Sequence, residues 1–119
     1  MSTQEVANKL VQYCREGKNL DAINELYADN IESTEPMVAH GGPVTGKQAV
    51  IEKNQHWYST VEEVHSAKIS DPIITGDFFA CTMEMDVTYK QHGRLSMYEV
   101  AVYQVKDGKI VKEQFSYAT

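Results

Sequence analysis

Apolar residues recur every three or four positions up to about Tyr58 and every two positions from Val61 onward. This change of period is the strongest restriction on the chain. A repeat near 3.6 buries one side of a helix, whereas a repeat of two buries one side of a strand. Apart from a short alternating run at 30–35 the change happens once, so helices and strands do not alternate as they would around a parallel sheet. The expected fold class is α+β, with three N-terminal helices packed on a mainly antiparallel sheet. At 119 residues the chain, 1–119, reads as one domain that can bury a core without disulfides or metal.

Ser2 with Glu5 forms a capping-box pattern, Val6, Leu10, Tyr13 and Cys14 follow at helical spacing, and Gly17 stops the helix. Asn19 or Asp21 is expected to cap a second, short helix whose Leu20, Ile23, Leu26 and Tyr27 share a side, ended by Asp29 and Asn30. Residues 30–35 alternate and stop at Pro36, as an edge strand would, before a loop rich in Gly and Pro that runs to Gly46. A third helix is expected over 46–60, with a stripe of Val50, Asn54, Trp57 and Val61 flanked by Ile51 and Tyr58.

Beyond Val61 the extended runs break at Asp71-Pro72, Gly76-Asp77, His92-Gly93 and Asp107-Gly108. Asp107-Gly108 between Val105 and Ile110 is a two-residue hairpin signal that predicts Tyr98 opposite Tyr117, Val100 opposite Phe115 and Val102 opposite Glu113. Matching polarity across the preceding hairpin sets Met85 opposite Tyr98 and Glu84 opposite Glu99. One face then carries Phe79, Cys81, Met83, Met85, Tyr98, Val100, Val102, Phe115 and Tyr117, with Glu113 as its one acid. The other carries Thr82, Glu84, Asp86, Glu99, Ala101, Gln114 and Ser116. Like charges facing each other on that outer side call for a cation. A second copy's basic residue, such as Arg94 or Lys112, is the expected answer.

Eleven Lys and Arg against 17 Asp and Glu give a net charge of −6. No basic cluster is present, which excludes nucleic acid and anionic membrane as expected partners. The longest apolar runs are four residues, such as Phe78 to Cys81, far below the roughly 18 that span a bilayer. The start of the sequence has no basic-then-apolar order, so a cytoplasmic location is expected, with Cys14 and Cys81 reduced and packed as small hydrophobes. A small neutral or apolar ligand fits this charge balance.

The order of helix, helix, Tyr27-Ala28-Asp29-Asn30, an extended run to Glu35-Pro36, Gly46-Lys47-Gln48-Ala49-Val50 opening a third helix, and a closing Asp107-Gly108-Lys109-Ile110-Val111-Lys112-Glu113 hairpin resembles the SnoaL-like and ketosteroid isomerase-like branch of the nuclear transport factor 2-like superfamily. The resemblance covers nearly the whole chain. It implies a cone made by a strongly curved mixed sheet wrapped around three helices, a pocket inside the cone, and a homodimer joined through the outer sheet face. The superfamily holds isomerases, cyclases and dehydratases beside binding proteins and oligomerisation domains, so the site has to be argued residue by residue.

In that branch an acid directly before Pro, at the spacing seen here between Tyr27 and Pro36, moves a proton next to a carbonyl; the resemblance therefore implies a general base at Glu35. A partly desolvated carboxylate suits that task. The branch's oxyanion Tyr falls on Val11 or Leu10, neither of which donates a hydrogen bond, and its protonated acid falls among Val100, Ala101 and Val102. Both departures argue against steroid isomerisation. Relatives often place an acid or His in the last strand, which makes Glu113 a second candidate. As an inward carboxylate it needs a partner: His65, a Tyr, water or a ligand. His65 would pair with Glu113 or Glu35 as an acid/base couple, and Tyr58 is a further donor. Tyr13, Trp57, Tyr58, Met83, Met85, Tyr98, Phe115 and Tyr117 are the expected pocket lining, shared with the core.

Gly41-x-x-x-x-Gly46-Lys47 almost spells a phosphate loop, but Gln48 replaces the required Ser or Thr. His40, His56, His65 and His92 have no zinc-ligand spacing, so neither metal nor cofactor is expected. The resulting expectation is a cofactor-independent acid/base enzyme (isomerase, cyclase or dehydratase type) acting on a small carbonyl compound. The alternative is a non-catalytic binding or dimerisation module.

Overall fold

The computed structural model describes residues 1–36 and 43–117. Three helices, α1 (Thr3–Arg15), α2 (Asn19–Leu26) and α3 (Lys47–Thr60), lie against seven strands: β1 (Tyr27–Thr34), β2 (Val44–Thr45), β3 (Val61–Ile69), β4 (Ile73–Thr75), β5 (Phe78–Tyr89), β6 (Gly93–Lys106) and β7 (Lys109–Tyr117). The sheet runs β2-β1-β7-β6-β5-β3, with β4 on β5. Among the described residues only β1 and β7 pair in parallel; the other pairs are antiparallel. This is the expected α+β architecture, a curved mixed sheet with helices on its concave side. Among the described residues no helix is long and apolar enough to cross a membrane.

The capping box at α1 forms as expected, the Ser2 hydroxyl accepting from the Glu5 amide and the Glu5 carboxylate from the Ser2 amide. Gly17, at φ 71°, turns the chain so that the Lys18 amide reaches the Tyr13 carbonyl. The second helix departs from expectation at both ends. Lys18, whose side chain makes no capping hydrogen bond, stands at its N-cap, and Asn19 is its first residue. It stops at Leu26, so Asp29 and Asn30 belong to a strand. That strand is not an edge either: β1 lies between β2 and β7, where its alternation places Ile31 and Ser33 in the interior. On α3 only Val50 of the expected stripe is fully buried; Asn54, Trp57 and Val61 are half-buried and Tyr58 is exposed.

The hairpin register is the main correction. Asp107 and Gly108 take φ values of 52° and 75° and make the expected two-residue turn, with Val105 opposite Ile110. Val111 then bulges out of the ladder, so that Gln104 pairs with Lys112 and Tyr103 with Glu113. One extra residue turns β6 over relative to β7. Ala101 pairs with Phe115 and Glu99 with Tyr117, while Met85 pairs with Met97 and Glu84 with Tyr98. Tyr98, Val100 and Val102 therefore point outward, 57%, 38% and 39% exposed, and Ala101 and Tyr103 point inward, fully buried. The gain from this inversion is a stack of Tyr103 on Phe79, with ring centroids 4.7 Å apart, beneath Val6, Leu10 and Val11.

On the outer face Asp86 is answered within the chain, by two bonds from the Arg94 guanidinium at 2.9 and 2.7 Å. Lys112 lies 3.8 Å from Glu32 of the same chain. Of the acids expected to need a second copy's cation, Asp86 thus finds one within the chain, and Glu99 is not on that face.

Candidate functional site

Three strands and one helix bring a polar cluster to the concave face. β1 alternates inward at Ile31 and Ser33, and Glu35 follows directly after it; β7 does so at Glu113, Phe115 and Tyr117; β6 does so at Glu99. Lys53, one turn beyond the buried Val50 on α3, reaches down onto them.

Glu113 is 3% exposed. The hydroxyls of Tyr27 and Ser33 donate to its two carboxylate oxygens, the latter at 2.7 Å. Burial pushes its carboxyl above the usual range against the pull of these two bonds and of Lys53. The same burial, and then the facing Glu113, pushes the Tyr27 phenol well up. The Lys53 ammonium donates to Ser33 Oγ at 2.7 Å and to Glu35 Oε1 at 3.1 Å, and lies 5.4 Å from the centroid of the Phe115 ring. The Tyr117 hydroxyl is hydrogen-bonded to Glu35, which, after burial, raises that phenol. Tyr27, Glu113, Ser33, Lys53, Glu35 and Tyr117 thus form one continuous chain of contacts across the concave face.

Glu99 completes the group. Burial, then Glu35 and Glu113, push its carboxyl up to about 7, with Lys53 pulling the other way. A group at that value is both a proton donor and an acceptor at neutral pH. Beside it Trp57 Nε1 donates to the Tyr89 hydroxyl at 3.2 Å, which in turn donates to Met97 Sδ at 2.7 Å. These aromatics and the methionine supply an apolar rim.

The expected site residues divide accordingly. Glu35 and Glu113 are brought together through Lys53 and Ser33, with Phe115 and Tyr117 beside them; Trp57 and Met85 share the concave side, and Met83 is part of the buried core. His65 is elsewhere. A register shift in β3 between Val64 and Ser66 places its ring against Glu63, at 2.6 Å, and Thr88, also at 2.6 Å, on the convex side with Asp86. It cannot pair with Glu35 or Glu113. Tyr13 donates to Glu25 on α2 at 2.6 Å. Tyr58 lines an open groove of about 400 Å³ with Lys18, Leu20 and Asn54, and Tyr98 lies on the outer face. None of these three joins the carboxylates. His40, and Gly41 and Gly42 at the start of the near-match to a phosphate loop, lie outside the described residues. Among the described residues no group of three His, Cys, Asp or Glu side chains is arranged to hold a metal ion.

Lys53, Ser33, Tyr27 and Glu99 are the functional candidates that sequence reasoning missed. Two carried a usable signal: Ser33 alternates with Glu35, and Lys53 follows Val50 at i+3. Glu99 carried none, because alternation along β6 does not mark which set of residues faces inward.

A curved sheet around three helices, with acids and aromatics inside, is the arrangement of a SnoaL-like domain. The profile of the SnoaL-like domain family matches residues 1–117, and the chain belongs to that family. A protein from Mesorhizobium loti, provisionally assigned as a SnoaL-like polyketide cyclase, is 37% identical, with a TM-score of 0.93 over 98% of this chain and 100% of the other. An NTF2-like protein of unknown function from Burkholderia pseudomallei shares the fold at 18% identity and a TM-score of 0.80, covering 99% and 92%. So does a ketosteroid isomerase-like protein from Catenulispora acidiphila, solved with trimethylamine, at 17% identity and a TM-score of 0.75, covering 98% and 88%. No curated protein matches the sequence at a significant level.

Proposed function

We propose that the concave face binds a small carbonyl compound and moves a proton on it without a cofactor. The observation that supports this reading is the convergence of Glu35, Glu99 and Glu113 on one face around Lys53. Glu35, ion-paired as a carboxylate, takes the proton from the carbon next to the carbonyl. Glu99, whose carboxyl lies at about 7, returns a proton or hydrogen-bonds the ligand. Glu113, satisfied by two hydroxyls, fixes Ser33 and through it Lys53. Trp57, Met85, Phe115 and Tyr117 provide the apolar walls of the pocket.

The test is deuterium uptake at the α-carbon of a panel of small ketones in heavy water, followed by NMR. The protein is expected to accelerate exchange of at least one ketone over buffer, and Glu35→Gln to lower that rate by about a hundredfold or more. Ketones that bind without accelerated exchange would overturn the enzyme and leave a binding module.

The same reading includes a cytoplasmic homodimer. Support for the dimer comes from the outer stripe of Tyr98, Val100 and Val102 on the central strand β6, an exposed apolar run of the kind that a second copy covers.

A further inference from the structure

Lys53 has one donor left over after its hydrogen bonds are counted. A lysine ammonium carries three N–H donors, and two of them go to Ser33 Oγ and Glu35 Oε1. Proton removal next to a carbonyl leaves negative charge on the carbonyl oxygen, and that charge has to be met by a donor or a cation. The helix above the site offers none: Leu10 and Val11 are apolar and 1% and 2% exposed. Glu35, as the base, and Glu113, with both oxygens accepting, do not offer one either, and the Glu99 proton is the one returned to carbon. The Tyr117 hydroxyl is bonded to Glu35 and the Tyr27 hydroxyl to Glu113.

We infer that Lys53 is a catalytic residue whose third N–H holds the carbonyl oxygen of the ligand while the adjacent Glu35 takes the α-proton. The inference rests on the reading of Glu35 as the base. In the step the α-carbon's C–H bond breaks and its proton passes to a Glu35 oxygen. The electron pair forms a carbon–carbon double bond, and the C=O π pair settles on oxygen as an enolate hydrogen-bonded to Lys53. A proton passes from the protonated Glu99 to carbon and restores the carbonyl, and exchange with solvent resets Glu35 as the carboxylate and Glu99 as the acid. Ammonium and carboxylate 3.1 Å apart thus address the oxygen and the C–H of one H–C–C=O unit. The chain meets developing charge with a strand-facing lysine on α3 in place of a donor on α1.

The probe is para-nitrophenol, whose phenolate oxygen imitates the enolate and whose two protonation states absorb at different wavelengths. Wild-type protein is expected to bind the phenolate in preference and to lower the bound phenol's pKa. Lys53→Gln should weaken phenolate binding by about tenfold or more, leaving neutral-phenol binding within about twofold, and Lys53→Arg should restore the preference. A wild-type protein that leaves the phenolate fraction unchanged or lowers it overturns the inference, whether or not the variants fold. So does a phenolate preference that survives in Lys53→Gln. The probe needs no proton abstraction, so the two failures separate. Phenolate held by Lys53 with no ketone exchange removes the base assignment, and ketone exchange without phenolate preference removes Lys53.

Discussion

Glu99 on β6 stands opposite Tyr117 on β7, on the concave side of the sheet. Tyr117 is hydrogen-bonded to Glu35, so this pairing ties the end of β1 to the middle of β6 and sets two carboxylates near one phenol. A bulge at Val111 is what brings them to the same face.

The raised carboxyl of Glu99 makes stability pH-dependent. Its folded value, about 7, lies above the ordinary value of 4.5, so the folded state binds more protons between the two. Its contribution is fully present below about pH 4.5 and is lost as pH rises through about 7. Urea denaturation should show Glu99→Gln gaining on the wild type across that window, by up to about 3 kcal/mol. Parallel pH profiles of the two proteins would refute this.

Ser33 is fully buried between Glu113 and Lys53. Ser33→Ala removes a donor from a buried carboxylate and should cost about 1–3 kcal/mol in denaturant titrations. Ser33→Thr, which keeps the hydroxyl, should cost less.

Gly108 sits at φ 75°, and a Cβ there would come within 2.8 Å of the Met1 backbone nitrogen. Both the left-handed backbone and the contact oppose a side chain. Gly108→Ala should destabilise by about 1–2 kcal/mol, measured by thermal or chemical unfolding. Gly76, also left-handed at φ 56° but with open space around it, should tolerate alanine better.

Val100→Lys places a charge in the middle of the outer apolar stripe, at a site already 38% exposed. If that face joins two copies, light scattering should report a dimer for the wild type and a monomer for the variant, with an unchanged circular dichroism spectrum. A wild type that is monomeric at all concentrations refutes the dimer.

Burial pushes the Cys14 thiol up to about 12 and the Cys81 thiol up to about 11. Thiolate is the reactive form, so both should resist a thiol reagent at neutral pH in the native protein and react at once in denaturant. Fast labelling of either in native buffer would contradict their packing.

The α+β class, the helix order, the α1 capping box and the closing turn were legible because each rests on local chemistry: a period, a cap, a residue pair that accepts positive φ. Glu113 was legible by alternation along the last strand, and Glu35 by its spacing from Tyr27 to Pro36 in the resemblance. The limits appear where local chemistry is symmetric. Val100, Ala101, Val102 and Tyr103 are apolar on both sides of β6, so alternation cannot choose which set goes inward. The choice was made by tertiary packing: β5 and β6 pair so that Tyr103 stacks on Phe79, Glu99 faces inward and Tyr98 outward, and the bulge at Val111 keeps Glu113 and Phe115 of β7 on that same inner side. His65 was misplaced for a similar reason, a register shift in β3 that nothing nearby in sequence announces. The sequence by itself thus determined the elements and which strands carry acids, because propensity and period act over a few residues. Which acids meet was decided only in the folded sheet, where burying one aromatic pair outweighs regular pairing.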